Sequence, residues 1–272
     1  MTSVSYRNFT GTGAENYERY FVPAIATPVS AALLRTAALR PGERVLDVAC
    51  GTGLVTRLAA EAVGPAGSVT GVDVSPDMIQ VARSVPRPAG AAIDWRTGDA
   101  TSLEVEDGAY DVVLCQLGLM FMPDRLAAVA QMRRALAAGG RLVVNTPGAI
   151  QPVFEAMERA IVEHIGPDLG MFVTAVFSMH DPDGVAGLLR DAGLDGVAAA
   201  VSPATLHLDP PAAFLWQYIN LTPMGPVVGQ APEAAREAME RQFVEDCEPY
   251  VAGGRTVVEQ PMVVASGRVP AG

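Results

Sequence analysis

The chain has 272 residues, 50% of them hydrophobic, and a formal net charge of -11. That is enough for one large or two small domains with a real core, and too apolar for a disordered or collagen-like chain. Nineteen basic against thirty acidic residues disfavour nucleic acid, whose binding rests on phosphate neutralisation by Lys and Arg. All nineteen are Arg, which excludes a Walker-type phosphate lysine, a Schiff-base lysine and a protein-kinase lysine.

The stretch from Met1 to Glu15 is polar and lacks the charged and apolar regions of a secretory signal. No apolar run approaches the length of a membrane span. Cys50, Cys115 and Cys247 are odd in number and contain no CxxC, which fits neither a disulfide framework nor a four-ligand zinc site. The expectation is a cytoplasmic protein without metal or membrane anchor, its cysteines serving as core.

Thr27-Pro28 reads as a cap with proline at the first helical position. Val29, Leu33 and Ala37 then share one face up to Pro41-Gly42. From residue 41, short β-branched runs alternate with Ala-rich helical stretches, the pattern of βαβ units and a mostly parallel sheet. Strands are expected at 44–48, 68–73, 92–96, 110–116 and 141–145. The last of the helices between them carries Leu126, Val129, Ala130 and Leu136 and stops before Gly139-Gly140.

After residue 148 the rhythm loosens. A helix is expected over 153–165, then an apolar stretch over 171–179 and a helix from Pro182. An alternating run over 197–208 follows, then a helix from Pro232 and a strand over 257–266. In the Pro232 helix, Ala235, Met239, Phe243 and Cys247 fall on one face. Without repeats or linkers, the chain reads as a single α/β domain, doubly wound and Rossmann-like, with a mostly parallel seven-stranded sheet. Residues 1–40 would be an amino-terminal helical lid and 41–148 the cofactor-binding core. Residues 149–272 would supply the remaining strands and substrate-covering insertions.

The chemistry concentrates where the first strand meets its helix, in Asp47-Val48-Ala49-Cys50-Gly51-Thr52-Gly53-Leu54. Small residues at 49, 51 and 53 let the backbone turn tightly and approach a ligand. The second strand ends at Asp73, where a doubly wound sheet places an acid for ribose hydroxyls. Strand, turn, helix, strand and terminal acid in register point to an adenosine-type ligand. A dinucleotide fingerprint needs G-x-G-x-x-G, but Thr56 stands at the third position. Asp47 at the turn's entrance would oppose a pyrophosphate and suit a cation. The ammonium and sulfonium of S-adenosylmethionine satisfy that better than NAD does.

The segments 45–53, 72–78 and 98–100, with Tyr110-Asp111-Val112-Val113 and 136–142, resemble the successive motifs of class I S-adenosylmethionine-dependent methyltransferases. The likeness covers about residues 17–147. It is nearest to the subgroup containing ubiquinone and menaquinone C-methyltransferases and bacterial natural-product methyltransferases. The resemblance implies that Asp47, Gly51 and Gly53 hold the methionine portion and Asp73 the ribose, with Ala49 also among the cofactor-binding positions. Asp99 and Ala100 would meet the adenine, with Val74 and Met78 packing on its face. Gln116 and Leu117 would offer backbone near the methionine amine, and Tyr17 would cover the cofactor. Ala49 departs from the glycine usual in the family.

Three histidines bound the choice of general base. His164 closes a helix, where the dipole accounts for it, and His207 sits in an alternating strand. His180 precedes Asp181-Pro182 in the apolar stretch expected over the site and is the candidate base. Ligands of open α/β sheets bind outside the carboxyl ends of strands, so Met120, Phe121 and Phe177 are expected to line an apolar acceptor pocket. The expected reaction is methyl transfer to the O or C of a small, largely apolar quinone-, phenol- or polyketide-like metabolite by in-line displacement. A homodimer is compatible with this reading. An NAD-binding oxidoreductase and a non-methylating S-adenosylmethionine-binding protein stay open.

Overall fold

The protein is described here from a computed structural model, covering residues 12–271. Residues 1–11, which hold most of the amino-terminal stretch discussed above, and Gly272 lie outside the described residues. The elements in order begin with α1 (Gly13–Asn16), a π-helical segment (Tyr17–Ala26), α2 (Thr27–Ala37) and β1 (Arg44–Val48). Next come α3 (Leu54–Val63), β2 (Ser68–Asp73), α4 (Pro76–Ser84), β3 (Ala92–Thr97), β4 (Tyr110–Gln116), α5 (Arg125–Ala135) and β5 (Leu136–Pro147). The second half contains α6 (Pro152–His164), α7 (Gly170–Val176), α8 (Pro182–Asp191), β6 (Asp195–Leu208), α9 (Pro211–Asn220), α10 (Gly225–Gln230), α11 (Glu233–Cys247), β7 (Val251–Ala252) and β8 (Arg255–Arg268).

The chain divides into two compact units. One comprises residues 29–148, 179–202 and 261–272; the other comprises residues up to 28, 149–178 and 203–260. The first unit holds the parallel sheet. Its strand order β3-β2-β1-β4-β5 continues through β8 to β6, with β1, β2, β3, β4 and β5 parallel and β8 antiparallel to β5. Side chains alternate across a strand, so neighbours feed opposite cores. Leu46, Val48, Val113, Cys115, Leu142 and Val144 pack with α5 and α8 on one face. Val45, Val112, Leu114 and Val143 pack with Leu33 of α2 and with α3 on the other. The result is the expected doubly wound α/β layering.

The second unit is mainly helical. Phe154 of α6, Phe177, and Phe214 and Tyr218 of α9 form an aromatic cluster, with Phe154 ring centroids 5.4 to 6.1 Å from the other three. Met239, Phe243 and Cys247 form the buried stripe of α11. All three cysteines are free and buried.

Several local expectations are corrected. Thr27 is not an amino-terminal cap. Its φ and ψ of -66° and -52° are helical, and its hydroxyl donates backward to the Val22 carbonyl at 2.8 Å. The π-helical segment therefore precedes α2 without a break. Its carboxyl end is set by Ala38, whose φ of 46° is left-handed, before Pro41 is reached. β5 starts at Leu136 rather than 141, straight out of α5, because Tyr110 pairs with Leu136 across a register shift. The apolar stretch from Met171 becomes the helix α7. Among the described residues no helix is long and apolar enough to cross a membrane.

Candidate functional site

β1 is flanked in register by β2 and β4, with Asp47 beside Gly71 and Leu114. This is the point where strand order reverses, the place where open α/β sheets open a crevice. Beyond β1 the backbone enters the left-handed region three times, at Ala49 (φ 58°), Gly51 (φ 55°) and Gly53 (φ 87°). Ala49 thus takes the conformation that glycine adopts freely, at a cost of order 1–2 kcal/mol. Leu117, at the end of neighbouring β4, is also left-handed (φ 53°). Two strained residues side by side at strand ends mark a functional site more often than a structural accident. Gly118 brings the two turns together, since a Cβ there would lie 2.6 Å from the Ala49 Cβ.

Asp47 is 1% exposed. Its Oδ2 accepts a hydrogen bond from the Thr56 hydroxyl at 2.6 Å, whereas its buried Oδ1 has no partner. Burial pushes the carboxyl up to about 7; the Thr56 hydrogen bond opposes the rise and the Asp73 charge adds to it. Thr52, in the same turn, is also 1% exposed, and its hydroxyl is buried without a partner. Asp73 closes the turn from β2. Its Oδ2 accepts from the Gly51 amide at 2.8 Å and its Oδ1 from the Ser75 amide at 2.9 Å. Burial raises its carboxyl and those two bonds oppose the rise. Each oxygen keeps acceptor capacity for a hydroxyl.

Val74 is 70% exposed and Met78 is half-buried on α4, so both retain surface for a flat ligand. Asp99 is exposed and caps the short turn Ala100–Ser102, accepting from the Thr101 amide and hydroxyl, each at 2.8 Å. Those bonds hold its carboxyl below the usual range. At the end of β4, the Leu117 amide donates to both Asn145 oxygens, at 3.1 and 3.2 Å. Asn145 Nδ2 donates to the Gln116 side chain at 3.3 Å.

Met120 is buried in the core, and Phe121 is 51% exposed. His180 is exposed, ahead of the Asp181 cap of α8. The carbonyl of Met179 just before it accepts from Thr146 at 2.7 Å. His164 meets Gln242 at 2.6 Å, and His207 is exposed on β6. Tyr17 and Phe177 belong to the helical unit. Tyr17 stacks on Phe21 at 4.6 Å, and Phe177 packs on Phe154 in the aromatic cluster.

Three residues that shape the turn escape sequence reasoning. Thr56 reads only as a missing glycine, yet it is the hydrogen-bond partner of Asp47. Asn145 reads as a strand end, although a polar residue closing Val143-Val144 was a usable signal. Trp95 of β3 carries no signal at all, but its indole lies over Gly53 and Gly71, where added Cβ atoms would meet it at 2.2 and 2.7 Å.

The sequence profile of the methyltransferase-domain family matches residues 45–140, from β1 to the start of β5. Residues 45–140 are thus similar to a methyltransferase domain. Demethylmenaquinone methyltransferase of Staphylococcus aureus is 35% identical over 139 residues, which is 51% of this chain and 57% of that protein. The chain thus spans little more than half the length of the curated relatives it matches. A methyltransferase-like structure from Bacillus halodurans C-125 superposes with a TM-score of 0.55 at 20% identity, covering 88% of this chain and 98% of that one. Phosphoethanolamine N-methyltransferase 2 of Haemonchus contortus, solved with S-adenosyl-L-methionine, gives 0.58 at 17% identity, covering 99% and 61%. Both show the fold.

The turn beyond β1 fits S-adenosylmethionine. A buried, unpartnered acidic oxygen suits a cation, the left-handed turn leaves room for close backbone approach, and Asp73 has acceptor capacity for ribose.

Proposed function

We propose that the protein transfers a methyl group from S-adenosylmethionine to a small, largely apolar acceptor of quinone, phenol or polyketide type, at oxygen or carbon. The observation that carries this reading is the turn at Asp47. A fully buried carboxylate with one unused oxygen favours a cationic ligand and penalises a pyrophosphate. When bound, S-adenosylmethionine supplies a methyl group already activated by a sulfonium. The protein's share is then orientation and exclusion of water. Asp47 and the turn amides hold the methionine end, Asp73 fixes the ribose, and Leu117, pinned by Asn145, presents backbone at the end of β4. The quinone class of acceptor is favoured by the name of the S. aureus relative. The exposed Phe121 gives the acceptor an apolar surface beyond β4. Three free, buried cysteines fit a reducing cytoplasm.

The test is thermal unfolding with S-adenosylhomocysteine and, separately, NAD. A ligand at one hundred times its dissociation constant adds about 2.7 kcal/mol, which raises the melting temperature of a chain this size by roughly 5–10 °C. S-adenosylhomocysteine is expected to produce the shift. A shift with NAD alone refutes the reading. Acceptors are then screened with labelled cofactor.

A further inference from the structure

Two buried polar groups without partners in one short turn is unusual, because nearly all buried polar groups in folded proteins are satisfied. Asp47 Oδ1 and the Thr52 hydroxyl are such a pair. Thr56 makes the situation asymmetric: its hydroxyl occupies Asp47 Oδ2 at 2.6 Å and leaves only Oδ1 unused. Thr56 is itself fully buried, one turn into α3, where the dinucleotide fingerprint has glycine. The carboxyl is therefore hydrogen-bonded through one oxygen and unpartnered at the other.

We infer that Thr56 is the positioning residue of the site, orienting Asp47 so that its unused oxygen receives the ammonium of the cofactor, and that Asp47 gives up a proton when that cation binds. The inference rests on the cofactor assignment above and adds a proton to it. An unpaired carboxylate at this depth is costly to keep ionised, so burial favours the protonated acid in the ligand-free site below neutral pH. The surrounding groups reinforce this. The Asp73 charge at the end of β2 adds to the rise that burial causes in the Asp47 carboxyl, and the Cys50 thiol in the turn and the Cys115 thiol on β4 are pushed up by burial first and by the Asp47 charge second. α3 presents the Thr56 hydroxyl, and the neighbouring Arg57 donates to the Thr52 carbonyl at 2.7 Å. The entering ammonium is then the compensating charge. The balance is simple: the Asp47 O–H bond breaks, its proton passes to solvent or buffer, and the carboxylate pairs with a cation that arrives charged.

Isothermal titration of S-adenosylhomocysteine into the ligand-free protein reads this directly. It is run between pH 6 and 8 in buffers of different ionisation enthalpy. Proton release is expected below neutral pH, and affinity is expected to be about tenfold weaker at pH 6 than at pH 8. Asp47→Asn, which carries the same ligand titration, should show neither the release attributable to Asp47 nor this pH dependence. Thr56→Val removes a hydrogen bond to the charged form and should move the inflexion up by about one pH unit. Thr56→Ser should restore it. Circular dichroism establishes that each variant folds; if Thr56→Val does not, the wild-type release and the Asp47→Asn comparison still decide.

Binding with the same proton count and pH profile in wild type and Asp47→Asn overturns the inference and leaves the cofactor assignment standing. A Thr56→Val profile superposable on wild type overturns the positioning role. No binding of S-adenosylhomocysteine by the wild type at any pH overturns the cofactor reading instead.

Discussion

Gly53→Ala tests the geometry of the turn most directly. Gly53 is left-handed at φ 87°, and an added Cβ would meet the Trp95 indole at 2.2 and 2.7 Å and the Arg57 guanidinium at 3.2 Å. The backbone conformation costs a non-glycine residue about 1–2 kcal/mol, and overpacking against a buried ring about 1–3 kcal/mol. Reduced freedom of the unfolded chain returns about 0.4–1 kcal/mol. The net loss is about 2–4 kcal/mol, or roughly 5–15 °C in melting temperature. The two causes separate in a double-mutant cycle with Trp95→Leu, read by thermal unfolding of the ligand-free proteins. With the indole gone, Gly53→Ala should cost only about 1 kcal/mol, the backbone share. An equal cost in both backgrounds would refute the contact with Trp95, and no cost in either would refute the left-handed turn.

Asp73→Ala removes both acceptors that tie β2 to Gly51 and Ser75; S-adenosylhomocysteine should bind about 1.5–3 kcal/mol more weakly by calorimetry, the worth of hydrogen bonds to a charged group. Asp47 is raised from its ordinary 3.8 to about 7 by burial, so its contribution to stability is complete below about 4 and is lost as pH rises through 7. Asp47→Asn should therefore stabilise the ligand-free protein at pH 8 by about 2–3 kcal/mol more than at pH 5, measured by denaturant unfolding at both. His180 is exposed, and His180→Ala should leave cofactor affinity unchanged. If His180 is the general base, turnover with a phenol or enol acceptor falls at least tenfold at pH 7.

Periodicity and turn chemistry alone determined the βαβ rhythm, the five parallel strands, the glycine turn and the acid at the end of β2. These are local properties: apolar alternation, an acid closing a strand, glycines where the chain must turn. The cofactor class was legible for the same reason, because Asp47, Gly51 and Gly53 are neighbours in sequence as well as in space. The tertiary structure decided what long-range contacts create. Thr56 becomes the partner of Asp47 only when α3 folds back on β1. Asn145 holds Leu117 in a left-handed conformation only when β5 lies beside β4, and Trp95 dictates glycine at 53 from a strand forty residues later. The amino-terminal helix shows the converse. Thr27-Pro28 has every local mark of a helix start, yet a hydroxyl bond back to Val22 carries the helical path through it. Local chemistry proposes a boundary, and the hydrogen bonds available in the folded chain determine whether it is used.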